Sequence, residues 1–130
     1  MPDLPLERIL YVEDEPDIRM VAQMALEAVG GFTVQVCGSG AEALRTVESF
    51  GPQLIILDVM MPEMDGPTTL GELRKRPCCA TTPILFMTAK VQPAEVARFL
   101  SLGAIDVIAK PFDPMTLADT VRGVWSRFNG

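Results

Sequence analysis

Three carboxylates follow apolar segments that are predicted to be β-strands. Glu13 and Asp14 come directly after Arg8–Val12, and Asp58 comes after residues 53–57. In an open parallel sheet, ligands bind at the carboxyl ends of the strands. Charged groups are costly to bury without partners, so acids at these positions indicate a polar site. We therefore expect the three carboxylates to share one edge of a sheet.

A hydroxyl group and an ammonium group follow two further apolar segments. Thr88 follows residues 83–87, and Lys110 follows residues 105–109 and precedes Pro111. If these segments are parallel strands of the same sheet, their ends meet at the same edge as the acids. The sequence therefore predicts one composite site built from four strand ends.

This combination of residues is suited to phosphoryl chemistry. Crowded acids raise one another's pKa unless a cation neutralises them, and Mg²⁺ prefers one or two carboxylates with waters and phosphate oxygens. Asp14 and Asp58, with Glu13 nearby, therefore predict a Mg²⁺ site open to a phosphoryl group. An ionised aspartate can also act as a nucleophile and form an aspartyl phosphate. Lys110 would pair with Asp58 and then with the incoming oxygens, and Thr88 offers a hydroxyl donor.

The elements that must position these residues alternate along the chain. Strands are predicted at Arg8–Val12, Thr33–Cys37, 53–57, 83–87 and 105–109. Each is followed by a predicted helix, which implies a parallel sheet with helices on both faces and right-handed crossovers.

The helices are predicted from apolar spacing and from their end signals. The first is expected to end at Gly30-Gly31 and the second at Gly51-Pro52. The third is expected to begin at Gly66-Pro67, the fourth at Pro93, and the fifth with Asp113 as N-cap and Pro114 as its first residue. The face that the first helix is expected to bury comprises Ile18, Val21, Ala22, Ala25, Leu26 and Val29.

Composition excludes several classes of protein. The 130 residues suffice for one domain with a core, and 48% hydrophobic with 22% charged residues is typical of a soluble globular domain. The net charge of −6 disfavours direct nucleic-acid binding. No histidine is present, and Cys37, Cys78 and Cys79 lack the spacing of a zinc site. We expect no signal peptide, no membrane insertion and a cytoplasmic location with reduced thiols.

Four motifs together resemble those of the receiver domains of two-component response regulators. They are Glu13-Asp14, the segment DVMMPEMDG from Asp58 to Gly66, Thr88-Ala89, and Lys110-Pro111-Phe112. The match covers essentially the whole chain in order and with suitable spacing. The resemblance implies a five-stranded, doubly wound, flavodoxin-like sheet with strand order 2-1-3-4-5. It also implies a single receiver domain over residues 1–130, without an output domain.

The resemblance also implies roles for individual residues. Asp58 would accept a phosphoryl group from a phosphohistidine on a sensor histidine kinase or a histidine phosphotransfer protein. Asp14, Asp58 and the backbone carbonyl of Met60 would bind Mg²⁺, for which Mn²⁺ can substitute, and Glu13 would act through a water molecule. The chain would be a phosphoacceptor with only self-catalysed phosphorylation and dephosphorylation, rather than an enzyme with an external substrate.

The switch residues implied by the resemblance are Thr88, Ala89 and Lys110, and a cis peptide bond is expected before Pro111. A downstream protein target would bind the surface of the fourth helix, fifth strand and fifth helix, and a homodimer is a further option. Val107 stands where the family commonly has Tyr or Phe, so we expect a weaker coupling between Thr88 and this surface.

Two positions flank the phosphoryl group in the family, two residues after Asp58 and two after Thr88. Met60 and Lys90 occupy them here. We expect them to alter the lifetime of the phosphoryl group.

Two other functions fit parts of the sequence. Gly38, Gly40 and Ala43 match the G-x-G-x-x-A pattern of a dinucleotide-binding turn, with Asp58 at the distance of a ribose-binding acid. That hypothesis leaves the other strand-end residues without a role. An aspartyl-phosphate hydrolase would need an acid two residues after its nucleophile, where Met60 stands.

Overall fold

The computed structural model describes residues 4–129, which form one five-stranded sheet with helices on both faces. The strands are β1 (Arg8–Val12), β2 (Thr33–Cys37), β3 (Leu54–Asp58), β4 (Ile84–Thr88) and β5 (Asp106–Ala109). All neighbours in the order β2-β1-β3-β4-β5 are parallel. This confirms the predicted doubly wound, flavodoxin-like fold.

The helices are α1 (Pro16–Met24), α2 (Gly40–Phe50), α3 (Gly66–Arg74), α4 (Pro93–Ser101) and α5 (Leu117–Asn129). Proline begins α1 and α4 and is the second residue of α3, where its missing N–H costs no hydrogen bond. Gly51 ends α2 in the left-handed conformation, at a φ of 65°. Among residues 4–129, no helix has both the length and the apolar character needed to cross a bilayer.

The expected buried face of the first helix is partly wrong. Ala22 and Leu26 are buried, but Val21 and Val29 are exposed. The helix continues beyond α1 as a π turn over Ala25–Val29, in which Gly30 N–H donates to the Ala25 carbonyl at 3.1 Å. Such a turn holds an extra residue, so it rotates the following side chains away from the spacing of a regular helix.

The fifth helix also begins later than predicted, at Leu117 instead of Pro114. Asp113 does cap this region, because its side chain accepts from Met115 N–H at 2.8 Å and its carbonyl accepts from Leu117 N–H at 3.0 Å. The residues between Asp113 and Leu117 form a turn, and regular helix begins only at Leu117.

The sheet divides the core into two layers. One layer packs the first helix and α5 against one face, and its buried side chains include Ile9, Tyr11, Ile56 and Ile108. The other packs α2, α3 and α4 against the opposite face and contains Leu10, Leu57 and Phe86. Alternate residues of each strand belong to different layers, as expected for central strands covered on both faces.

Candidate functional site

Strand order brings the predicted site residues together. β1 and β3 are neighbours at the centre of the sheet, so Glu13 and Asp14 lie beside Asp58. The next strand after β1 in the chain lies on its other side, which makes this the point where the strand order reverses. Open α/β sheets bind ligands at this point because the connections diverge and leave a crevice.

Three carboxylates meet at this position. Glu13, Asp14 and Asp58 each offer an oxygen, and these oxygens all lie within 4.8 Å of one another. Glu13 and Asp58 are buried and Asp14 is half-buried. Three acids at this spacing repel one another strongly, because two of them are buried.

Lys110 supplies the cation in direct contact with this group. Its Nζ lies 2.9 Å from Glu13 Oε1 and 3.0 Å from Asp58 Oδ1. Lys110 follows β5, which is separated from β3 by β4, so its long side chain spans the end of β4. We call Glu13, Asp14, Asp58 and Lys110 the acidic cluster. It holds three carboxylates against one ammonium group, a formal imbalance that a divalent cation would neutralise.

The electrostatics of the cluster shift two pKa values. The pKa of the Asp58 carboxyl is raised to about 7, mainly by burial and also by the charge of Glu13, against the opposing effect of Lys110. Burial lowers the pKa of the Lys110 ammonium, but hydrogen bonds and charge from Glu13 and Asp58 outweigh it, so this pKa is raised. Lys110 therefore stays charged, whereas Asp58 needs further positive charge to be fully ionised.

The donor set of the cluster fits Mg²⁺. Carboxylate oxygens are the hard ligands that this ion prefers, and it normally keeps several waters beside one or two carboxylates. Asp14 is half-buried, so the cluster is open to solvent on that side. Met60 has its side chain 63% exposed, which leaves the loop after β3 uncovered.

Tyr11 is a neighbour of the cluster that the sequence analysis missed. Its fully buried hydroxyl donates to Glu13 Oε1 at 3.3 Å, the oxygen that also accepts from Lys110. Burial, followed by the charges of Glu13 and Asp58, raises the pKa of the Tyr11 phenol. Tyr11 precedes Glu13 by two residues on one strand and therefore shares its face, which is a signal that strand periodicity offered.

Backbone groups hold Glu13 from its other side. Its Oε2 accepts from Glu15 N–H at 3.3 Å, and Arg19 Nη1 donates to the Glu13 carbonyl at 2.9 Å. With Tyr11 and Lys110 on Oε1, both carboxylate oxygens have partners within the protein. Glu13 is thus less available as a direct metal ligand than Asp14 or Asp58, which agrees with contact through water.

The loop after β3 passes close beneath Asp58. A Cβ atom on Gly66 would lie 2.7 Å from the Asp58 carbonyl oxygen, so only glycine fits there. Gly66 N–H donates to the Val59 carbonyl at 2.9 Å, and the Asp65 side chain caps α3 by accepting from Thr68 N–H at 2.9 Å. Asp65 and Gly66 thus fix the end of the loop that packs against the Asp58 backbone.

Thr88 lies at the same sheet edge but does not join the hydrogen bonds of the cluster. Its hydroxyl oxygen accepts from Lys90 N–H at 3.0 Å, and no hydrogen bond connects it to Asp58 within residues 4–129. Ala89 and Lys90 are exposed. Thr88 would have to rotate about χ1 to reach a group bound on Asp58.

The remaining predicted residues surround the Lys110 side of the site. Lys110 N–H donates to the Thr88 carbonyl at 2.9 Å, and the Lys110–Pro111 peptide bond is cis. Val107 is half-buried against the layer that contains Phe86 and Phe99, on the opposite face of the sheet from Ile108.

The rival glycine motif has a structural role. We call residues 38–43 the glycine turn. Gly38 N–H donates to Glu42 Oε1 at 2.7 Å, and Glu42 N–H donates to Ser39 Oγ at 3.1 Å, so Ser39 caps α2 while the Glu42 carboxylate binds the residue before the cap. A Cβ on Gly40 would clash with Thr69 Oγ1 and lie 2.9 Å from Met64 Sδ. Gly40 is thus packed against α3 and the loop before it, and the Gly38 and Glu42 N–H groups are already bonded within the protein, which does not favour binding a pyrophosphate.

Comparisons with known proteins agree with the geometry. The family model described as the response regulator receiver domain matches residues 9–122. The probable transcriptional regulator ycf27 of Guillardia theta is 37% identical over 123 residues, which cover 95% of this chain and 47% of that protein. The transcriptional activator protein IrlR of Burkholderia pseudomallei is 40% identical over 120 residues, covering 92% and 51%. The chain spans about half the length of these curated relatives.

Solved structures show the same fold. The chemotaxis protein CheY4 of Vibrio cholerae superposes with a TM-score of 0.84 at 31% identity, covering 92% of this chain and 99% of that one. The receiver domain of a signal transduction histidine kinase from Syntrophus aciditrophicus gives a TM-score of 0.78 at 36% identity, covering 93% and 91%.

Proposed function

This chain belongs to the response regulator receiver family, and from that premise we propose that it is a phosphorylation-dependent switch in which Asp58 accepts a phosphoryl group. The observation that carries the proposal is the acidic cluster, with three carboxylate oxygens within 4.8 Å and one ammonium group in contact with two of them. A bound Mg²⁺ would neutralise negative charge on the carboxylates and on the phosphoryl oxygens.

The transfer step requires only residues that already lie in the cluster. A carboxylate oxygen of Asp58 attacks the phosphorus of a phosphohistidine, the P–N bond breaks, and the imidazole nitrogen leaves with the electron pair and takes up a proton. Lys110 exchanges its contact with Asp58 for one with a phosphoryl oxygen. Asp14, Asp58 and the backbone carbonyl of Met60 would hold the metal ion, or Mn²⁺ in its place, with Glu13 acting through water.

The response to phosphorylation would begin at Thr88. Its hydroxyl leaves Lys90 N–H and donates to the phosphoryl group, which draws the segment through Ala89 toward Asp58. A new charge of this kind shifts an existing equilibrium between inactive and active conformations. Because Val107 is short and stiff, the switch would work without the swing of an aromatic side chain.

We assign partners from the chemistry of the site and from the exposed surfaces. The donor would be a sensor histidine kinase or a histidine phosphotransfer protein, since in both the leaving group is the imidazole of a phosphohistidine. The target would be a protein that binds α4, β5 and α5, where Leu100 and Leu102 are exposed apolar side chains. We do not assign nucleic acid or membrane to this surface, because the chain is acidic overall, and a protein with an apolar contact surface fits Leu100 and Leu102.

The rest of the proposal concerns the whole protein. Residues 1–130 would act as one receiver domain, and turnover of an external substrate is not part of the function, because Met60 stands where a hydrolase needs an acid. Free Cys37, Cys78 and Cys79 support a reducing, cytoplasmic location.

Intact mass tests the proposal directly. The protein is incubated with acetyl phosphate or phosphoramidate, with and without Mg²⁺, and compared with Asp58→Asn and with the control Asp65→Asn. We expect a gain of one phosphoryl group that needs Mg²⁺, is removed by hydroxylamine, and is absent only in Asp58→Asn. Asparagine still caps α3 at position 65, so this control keeps the fold. Label that persists in Asp58→Asn would refute Asp58 as the acceptor.

A further inference from the structure

Two adjacent cysteines lie far from the acidic cluster in a tight turn. Pro77–Cys79 forms a single 3₁₀ turn after α3, in which Cys79 N–H donates to the Arg76 carbonyl at 3.0 Å. Cys78 is exposed, whereas Cys79 is buried at 1% exposure. The two Sγ atoms are 3.2 Å apart and in hydrogen-bonding contact. The turn therefore presents one accessible thiol with a second thiol directly behind it.

The two thiols differ in reactivity. Burial, with the hydrogen bond and charge of Cys78, raises the pKa of the Cys79 thiol to about 12, so Cys79 stays protonated as long as Cys78 is a free thiol. Because reaction with a disulfide requires an accessible thiolate, Cys78 is the position that meets an oxidant first. Cys79 is placed to attack the product formed on Cys78.

A bond between the two sulfurs would change the backbone. Adjacent Cα atoms are about 3.8 Å apart across a trans peptide, whereas disulfides usually join Cα atoms about 4.4–6.8 Å apart. The turn over Pro77–Cys79 must therefore distort when Cys78 and Cys79 join. Exposed or distorted disulfides are the readily reduced ones, which suits a reversible modification.

Arg74 connects this turn to two other segments. Its Nη1 donates to the Cys79 carbonyl at 2.9 Å and to the Thr82 carbonyl at 2.6 Å, and its Nη2 approaches the Gly103 carbonyl at 3.4 Å. Thr82 lies just before β4, and Gly103 lies between α4 and β5. A distortion at Cys79 would thus pull on the guanidinium group that holds these connections.

We propose that Cys78 and Cys79 are a redox-modifiable vicinal dithiol, which a low-molecular-weight disulfide converts to a disulfide bond between the two neighbouring sulfurs. The Cys78 thiolate attacks one sulfur of the oxidant, whose S–S bond breaks and releases one thiol. Cys79 then loses its proton to solvent and attacks Cys78 Sγ, and the second oxidant thiol leaves. Two protein thiols are oxidised while one disulfide is reduced to two thiols.

The experiment treats the reduced protein, residues 1–130, with oxidised glutathione and follows it by intact mass and peptide mapping. We expect the wild type to lose the mass of two hydrogens, with the modification on the peptide that holds Cys78 and Cys79 and none on Cys37. Dithiothreitol should reverse it. Cys78→Ser should remain unmodified, and Cys79→Ala should accumulate the glutathione adduct on Cys78.

Hydrogen exchange on the wild type gives a readout that needs no variant. Oxidation should remove protection from residues 76–82, where the Cys79 amide is bonded, and leave β1 unchanged. A wild type that stops at the glutathione adduct, or that remains reduced while Cys79→Ala reacts, would overturn the proposal. So would an oxidised protein in which residues 76–82 keep their protection, because the turn would then not have moved.

Discussion

The acidic cluster and the glycine turn both follow a strand of the same sheet, and they differ in what they leave for a ligand. In the glycine turn, Ser39 Oγ accepts from Glu42 N–H, the Glu42 carboxylate accepts from Gly38 N–H, and Thr69 fills the space beside Gly40. In the acidic cluster, three carboxylates share one ammonium group. The comparison teaches that a motif forms a binding site only when its own side chains leave charge or hydrogen bonds unsatisfied.

The largest expected effect comes from removing the ammonium group of the cluster. Lys110→Met leaves Glu13 and Asp58 without their cation, and breaking a buried pair in this way costs about 3 kcal/mol of the free energy of unfolding. The loss should be largest at about pH 8, where the acids are ionised, and Mg²⁺ should restore part of it. Urea unfolding with and without Mg²⁺ measures both.

Lys75→Met is the matched control for Lys110→Met. Lys75 pairs with Glu72 at 3.0 Å on the surface, and such exposed pairs contribute about 0.5 kcal/mol or less. Equal losses in the free energy of unfolding for the two variants would show that the cluster depends on its ammonium group no more than an exposed ion pair does.

The next effect tests whether the glycine turn is packed rather than open. Gly40→Ala forces a methyl group against Thr69 and Met64, and such overpacking costs about 2 kcal/mol. Gly71→Ala is the control, since nothing lies within 4 Å of its Cβ and alanine favours a helix interior by about 0.5–1 kcal/mol. Thermal unfolding of both separates packing from backbone effects. An unchanged Gly40→Ala would mean that the turn has room for a ligand.

A third prediction concerns the charge on Asp58. The folded-state pKa of about 7 lies above the ordinary value of about 3.9, so the folded protein binds the proton more tightly than the unfolded chain. The resulting stability is fully present below the unfolded pKa and is lost as pH rises through about 7. Without Mg²⁺, Asp58→Asn should therefore be about 1–2 kcal/mol more stable than the wild type above this range.

The pH series with denaturant measures this difference. The advantage of Asp58→Asn should disappear toward about pH 4, where Asp58 is protonated in the wild type, and should shrink when Mg²⁺ is added. Asp65→Asn, which changes an exposed carboxylate, should follow the wild type throughout. A pH-independent difference for Asp58→Asn would contradict burial as the cause.

The smallest effect comes from the cap of α2. Ser39→Ala removes the acceptor of Glu42 N–H and should cost about 1 kcal/mol, with no change in Mg²⁺-dependent phosphorylation. Ser126→Ala, at an exposed position within α5, is the control and should have little effect on stability. Calorimetry gives the stability, and intact mass gives the phosphorylation. A loss of phosphorylation in Ser39→Ala would mean that the two strand ends are coupled.

The sequence predicts the strands well because each is a short apolar run bounded by turn residues. β1 and β2 have the predicted bounds, β3 and β4 begin and end one residue later than predicted, at Leu54–Asp58 and Ile84–Thr88, and β5 begins one residue later, at Asp106. Helix details are less predictable. Val29 is exposed in the π turn, and Gly30 after it packs against Ala118, where an added Cβ would come within 2.8 Å. No local sequence pattern reports that contact.

The site follows from the sequence to the extent that strand ends determine it. The closeness of Asp14, Asp58 and Lys110 follows once the strands are parallel and ordered. The sharing of Glu13 between Tyr11 and Lys110 does not, because it depends on which rotamers the buried side chains adopt. The hydrogen bond from Lys90 N–H to Thr88 Oγ1 likewise depends on a side-chain rotamer, which the sequence does not determine.

The two-layer core bears on how this protein can evolve. Tyr11 and Ile108 belong to the layer of α5, and they share strand faces with Glu13 and Lys110, whereas Val107 and Phe86 belong to the layer of α4. A substitution that repacks one layer therefore meets few side chains of the other. Selection can therefore adjust the packing of the two layers largely independently, with β4 contributing buried side chains to both.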